Sequence, residues 1–306
     1  MTAITLDDKW NVTTGRVMLT GTQALARVML AQAALDARAG LKTAGYISGY
    51  RGSPLGIYDL ALWQARAYLE QHDIRFQPGV NEDLAATAVW GTQQTALVGP
   101  SPYDGVFALW YGKGPGVDRS GDRLKHGSFA GSSPHGGVLA LCGDDHAARS
   151  STVAHQSDHA LIHFGMPVFN PAHAQDYLDL GLAGLALSRY SGAWIGFKCI
   201  TDTVETSSRV DISPERLAFR IPDDFAMPPG GLNIQLGVMP LVAESRQFDL
   251  RLEAVKAFAR ANGIDQHRAS GPDLGQSSQR LRLLAGGTQV YDQLSRLHVR
   301  CPAVLE

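Results

Sequence analysis

The chain has 306 residues, with 27 Lys+Arg against 29 Asp+Glu and a formal charge of −2. That balance excludes the basic excess needed for non-specific binding to nucleic acid or an acidic membrane. With 44% hydrophobic and 18% charged residues, the chain is globular rather than disordered and long enough for about two domains. It has no apolar run of about 18 residues that would predict a membrane span. The acidic start, MTAITLDDKW, is unlike a signal peptide. Cys142, Cys199 and Cys301 lie far apart and form no disulfide framework, zinc set or cluster-ligating set, which fits a reducing cytoplasm.

Residues 17–37 carry apolar side chains at helical spacing and predict a helix. Residues 44–48 read as a strand that ends in the glycine-rich turn GYRGSPLG, 49–56. A helix over 57–71, a strand over 74–77 and a small-residue helix over 82–98 follow. Residues 106–111 and 138–142 are continuous apolar runs, the pattern of strands buried on both faces, and each runs into a polar loop, 112–122 and 143–149. A helix is expected over 173–190 and a strand over 193–199. Short apolar runs interleaved with helices predict an α/β fold, a parallel sheet flanked by helices in three layers, over residues 1–210. Residues 211–245, rich in Pro and Asp and without periodicity, read as an extended connector. A patterned helix over 248–262 is stopped by Gly263. The strand-like LRLLAGG (281–287) and helix-like VYDQLSRLH (290–298) make 246–306 the start of a second, incomplete domain.

Neither a phosphate-binding P-loop, a GxGxxG fingerprint nor a GxSxG elbow occurs. His155, His159 and His163 are spaced by four, which on a helix places three imidazoles on one face. No acidic ligand completes a metal set, and Gly165 and Pro167 cut any helix short, so a structural role is the expectation and no metal is assigned. Ligands of parallel α/β sheets bind outside the carboxyl ends of the strands. The segments 49–56, 81–83, 112–122 and 143–149 should therefore face one cleft. Glu82 opens its helix directly after Asn81. It reads either as a first-turn carboxylate that complements the helix dipole or as a partly buried carboxylate that hydrogen-bonds a heterocyclic nitrogen.

GYRGSPLG, PGVNEDLAATAVWGTQQ, WYGKGPGVDRSGD and GDDHAARSSTVAHQSDHA occur in that order. Together they resemble the N-terminal region of the fused indolepyruvate ferredoxin oxidoreductases, members of the thiamine-diphosphate-dependent 2-oxoacid:ferredoxin oxidoreductase family. The resemblance covers roughly residues 1–245 and fades after about 265. It implies a pyrimidine-binding α/β domain that shares thiamine diphosphate with a separate diphosphate-binding domain. In that family a glutamate bonds the aminopyrimidine ring, a 2-oxoacid is decarboxylated, coenzyme A takes the acyl group, and electrons pass through iron–sulfur clusters to ferredoxin. Glu82, in the frame NED, matches that glutamate and is the implied catalytic residue. By the same resemblance Gly52, Ser53, Asn81 and Lys113 join Glu82 around the cofactor, and Arg51, Ser53, His146 and His155 lie toward the substrate.

The family's magnesium motif, GDG followed by Asn, is missing here, as are cluster cysteines. Magnesium and 4Fe-4S clusters are therefore expected only on partner domains, of diphosphate-binding and gamma type, in an assembled enzyme that is a dimer. The chain is expected to be a subunit or a shortened form of a longer one. A non-catalytic remnant and a thiamine enzyme with another electron acceptor are the competing readings.

Overall fold

The computed structural model describes residues 5–264 and a short strand at Thr288–Gln289. Helix α1 (Asp8–Asn11) leads into strand β1 (Arg16–Thr20) and the long helix α2 (Gly21–Arg38). Strand β2 (Thr43–Gly49) follows, then helices α3 (Tyr58–Gln64) and α4 (Arg66–Glu70) and strand β3 (Ile74–Phe76). Helices α5 (Glu82–Thr92) and α6 (Thr95–Val98) precede strand β4 (Gly105–Lys113). Helices α7 (Gly114–Arg119) and α8 (Gly121–Ala130) lead to strand β5 (Val138–Asp144). Then come α9 (Asp158–His163), β6 (Val168–Phe169), α10 (Ala174–Ser191), β7 (Ile195–Ile200), α11 (Thr201–Val204) and β8 (Ser207–Asp211). Helix α12 (Pro240–Ser245), a π-helical turn (Arg246–Arg251) and α13 (Leu252–Ala261) close the continuous part.

Six strands pair in parallel in the order β3-β2-β4-β5-β7-β6, and the strand at Thr288–Gln289, β9, adds antiparallel to β6. The α/β class with a parallel sheet between helices is as the sequence indicates. The central strands β4 and β5 are apolar up to their carboxyl ends, at Lys113 and Asp144, because both faces are covered, and their residues divide by parity. Phe107, Leu109 and Tyr111 of β4 enter the core under α2, α3 and α10, while Ala108 and Trp110 enter the core under α5 and α8.

Three expectations need correction. The helix predicted to open at residue 17 begins at Gly21, because Arg16–Thr20 pairs antiparallel with Ser207–Asp211. Thr20 marks the boundary with a capping box: its hydroxyl accepts from the Gln23 amide and its own amide donates to Gln23 Oε1, both at 3.1 Å. The glycine-rich segment 112–122 is mostly helix, started by Pro115 in the first turn of α7. Residues 213–239 lack regular structure apart from a 3₁₀ turn at Pro214–Arg216, but the supposed connector ends in α12.

The later segment is pinned to the first by Arg251, which is 1% exposed and has no carboxylate partner among the described residues. Its guanidinium donates instead to the carbonyls of Ser128, Phe129 and Ala130 at the end of α8, and to that of Leu232. Burial lowers its pKa to about 9. The π-helical turn sets Gln247 and Arg251 inward together, and Gln247 Oε1 accepts from the guanidinium at 3.2 Å. The strand-like 281–287 and helix-like 290–298 segments lie outside the described residues.

Candidate functional site

The carboxyl ends of β2, β4 and β5 bring the anticipated loops to one edge of the sheet. Asn81 caps α5, with Oδ1 accepting from the Leu84 amide at 2.8 Å. That cap places Glu82 at the first helical position, and the Trp110 indole fixes it further by donating to the Glu82 carbonyl at 2.9 Å. The Glu82 side chain lies against α7. A Cβ added to Gly116 would stand 2.7 Å from Glu82 Cγ, and one added to Gly112 would stand 3.4 Å from the same atom. Glu82 is 9% exposed, and among the described residues its carboxylate has neither a hydrogen bond nor an ion pair.

The neighbouring turn of α7 carries a second cluster. His155 packs so closely on Gly114 that a Cβ there would fall 1.8 Å from Nδ1. Its Nε2 meets Asp118 Oδ2 at 2.9 Å, and its Nδ1, buried without a hydrogen bond, faces Asp144 Oδ1 at 3.8 Å. Asp144 is fully buried and accepts from the Ser157 amide and hydroxyl, with Lys198 Nζ 3.7 Å away. Burial raises the Asp144 pKa, against the pull of Ser157 and Lys198. Lys198 makes its closer bond to Asp158, at 2.6 Å. His146 donates from Nδ1 to the His155 carbonyl at 3.1 Å.

The turn after β2 completes the edge. The Lys113 side chain lies over Gly52, and the Ser53 hydroxyl accepts from Ser150 at 2.6 Å. Ser150 belongs to a loop organised by Asp145, whose carboxylate accepts from the amides of Arg149 and Ser150 and is held below the usual range by those bonds. Arg51 is exposed and lies in the field of Asp59. Burial raises the Asp59 carboxyl, and the Tyr111 hydroxyl and Arg51 oppose the rise. Asp59 Oδ1 and the Tyr111 hydroxyl are nonetheless both buried without a hydrogen bond of good geometry.

The structure thus gathers Gly52, Ser53, Glu82, Lys113, His146 and His155 along one edge, while Asn81 has its carbonyl oxygen committed to the helix cap. Sequence reasoning had Asp118 and Asp144 among the polar loop residues but missed Ser157 and Lys198. Lys198 stands in a strand of otherwise apolar residues, IGFKCI, and is 3% exposed; that interruption is the signal that could have found it. The histidines spaced by four do not share a helix face, since His155 sits in a bridge to Asp145, ahead of α9. Among the described residues no group of His, Cys, Asp or Glu is arranged to hold a metal ion, and no helix is long and apolar enough to cross a membrane. A cleft of about 470 Å³ between Trp90, Phe129 and the 234–244 strap is lined by other residues and does not include Glu82.

No family model matches the chain, and no curated protein matches it by sequence. Its fold is similar to a solved 2-oxoglutarate:ferredoxin oxidoreductase from Magnetococcus marinus with 2-oxoglutarate, coenzyme A and succinyl-CoA bound. The TM-score is 0.51 at 12% identity, over 89% of this chain and 44% of the other. At that identity the likeness is one of fold, and the chain spans less than half the length of this neighbour.

Proposed function

We propose that this chain supplies the pyrimidine-binding portion, residues 1–210, of a thiamine-diphosphate-dependent 2-oxoacid:ferredoxin oxidoreductase. An aryl 2-oxoacid such as indolepyruvate is the substrate, acyl-coenzyme A the product and ferredoxin the acceptor. The observation that carries the reading is Glu82, a largely buried residue at the carboxyl edge of the sheet, whose carboxylate has no partner among the described residues and rests on a floor of Gly112 and Gly116. A carboxylate without an internal partner keeps its acceptor lone pairs free for a ligand. A ring nitrogen of an aminopyrimidine fits that place, and the fold likeness supports the same class of enzyme.

When bound, the cofactor supplies the carbon nucleophile that makes decarboxylation of a 2-oxoacid possible. Glu82 holds the proton shared with the ring nitrogen. Gly52 and Gly116 keep the edge free of side-chain bulk. Ser53, already an acceptor from Ser150, retains its own proton to donate. Lys113 brings positive charge toward the cofactor, and Arg51 brings it toward a substrate carboxylate. Asn81 contributes through its amide nitrogen, since its oxygen caps α5. His146 and His155 line the substrate side. The diphosphate-binding and gamma-type domains bring magnesium and 4Fe-4S clusters to a dimeric, cytoplasmic enzyme.

The test combines the chain with those partner domains, thiamine diphosphate, magnesium, coenzyme A and indolepyruvate, and follows dye reduction. Glu82→Gln should lower turnover by about a hundredfold or more. Unchanged turnover in that variant, or no turnover in any pairing, overturns the reading.

A further inference from the structure

We propose that the outer nitrogen of His155 is a carboxylate-binding position which the chain's own Asp118 fills in this structure, making Asp118 an internal competitor for the incoming ligand. The inference rests on the functional reading above only in taking that ligand to be the carboxylate of a 2-oxoacid.

The two carboxylates that face the imidazole are held very differently. Asp144, on the inner side, is fully buried, tied to Ser157 and part of strand β5, so it cannot leave. Asp118, on the outer side, has a side chain 63% exposed. Its carboxylate has no other partner among the described residues. Only the Asp118 half of this pair is exposed, and a carboxylate that reaches in from solvent exchanges readily for another. The ring itself is fixed. It presses on the backbone of Gly114, and its own amide donates to the Asp145 carbonyl at 3.1 Å.

The surrounding charges complete the argument. Asp118 comes from α7, Asp144 from β5, Lys198 from β7 and Asp158 from α9, while His146 bonds the His155 carbonyl. Behind the ring Lys198 lies between two carboxylates, the buried Asp144 and the half-buried Asp158, so the inner side is already occupied and only the outer nitrogen is open to an exchanging group. The fixed ring presents Nε2 outward, at a place the protein already shows to be shaped for a carboxylate oxygen.

The experiment uses the full 306-residue chain without cofactor or partner domains, so that it reports on this position independently of the Glu82 reading. Histidine side-chain NMR signals are followed while pyruvate is added, with acetate as a carboxylate lacking the ketone and acetone as a ketone lacking the carboxylate. Pyruvate and acetate should both shift the His155 signals and acetone should not. Asp118→Asn, which removes the competitor at an exposed position, should tighten pyruvate binding about two- to fivefold. His155→Gln should abolish the response, but it can also disturb packing around Asp144, so Asp118→Asn is the decisive variant. Pyruvate binding that is unchanged or weaker in Asp118→Asn, or a His155 signal indifferent to both carboxylates, overturns the proposal. Loss of turnover in the Glu82 assay leaves these outcomes untouched.

Discussion

Gly116→Ala separates the seat of Glu82 from the stability of the fold. Gly116 is buried inside α7, where alanine is the better helix former by about 0.5–1 kcal/mol. The new methyl would stand 2.7 Å from Glu82 Cγ and 2.8 Å from Oε1, too close for both to stay. What must yield is the end of a side chain with no hydrogen bond to lose, so the net change in folding stability should stay within about 1 kcal/mol. The carboxylate, however, is driven off its floor, and a general acid–base group moved out of reach forfeits about a hundredfold or more in rate. Chemical denaturation and dye reduction by the assembled enzyme read the two quantities separately. Adding Glu82→Gln to Gly116→Ala should cost little beyond either alone, because both remove the same contact. A well-folded Gly116→Ala protein with normal turnover would refute this account of the seat. A loss above about 3 kcal/mol would instead show that Glu82 is wedged and cannot move. Gly114→Ala offers a contrast, since its methyl would meet the fixed His155 ring at 1.8 Å.

Arg251→Met should destabilise the fold by about 3–5 kcal/mol in urea unfolding, because it strips the donor from buried carbonyls of Ser128, Phe129, Ala130 and Leu232 together; a loss under about 1 kcal/mol would show that the guanidinium is not what pins the later segment. Asp145→Asn should lower stability at neutral pH and progressively less in acid. The amides of Ser150 and Arg149 depress the Asp145 carboxyl, so its contribution is present above the ordinary carboxylate range and fades as pH falls through the folded value. A gap between variant and wild type that stays constant from neutral pH into acid, measured by urea midpoints, would contradict that charge-dependent role.

The parts of the fold legible in the sequence are those whose cause is local. Strands β4 and β5 announce themselves as unbroken apolar runs because each is covered on both faces, and α5 announces itself through Asn81 and the acidic first turn. Strand β1 does not, because its partner is β8, far along the chain, and Met18 is 62% exposed, so no alternating burial marks it. The Thr20–Gln23 capping box was the local signal that should have cut the predicted helix at its start. Strand β6 has two residues, too few for any period to show.

The site was legible in a different way. Strand topology alone brings the loops after β2, β4 and β5 to one edge, so their gathering follows once those strands are assigned parallel. Which side chain rests on which backbone depends on contacts between segments distant in sequence, and only the receiving half of each contact leaves a mark. Gly52, Gly114 and Gly116 are such marks: Lys113 lies on the first, His155 on the second and Glu82 on the third. Read locally, these glycines meant turns, and that reading mistook α7 for a loop. Read as places where a Cβ would collide with an ionisable side chain, they trace the candidate edge. A glycine in a helix costs stability, and α7 carries two that face Glu82 and His155. The cost has a physical explanation at both, because in each case the volume of the missing methyl is already taken by a group that the proposed chemistry uses.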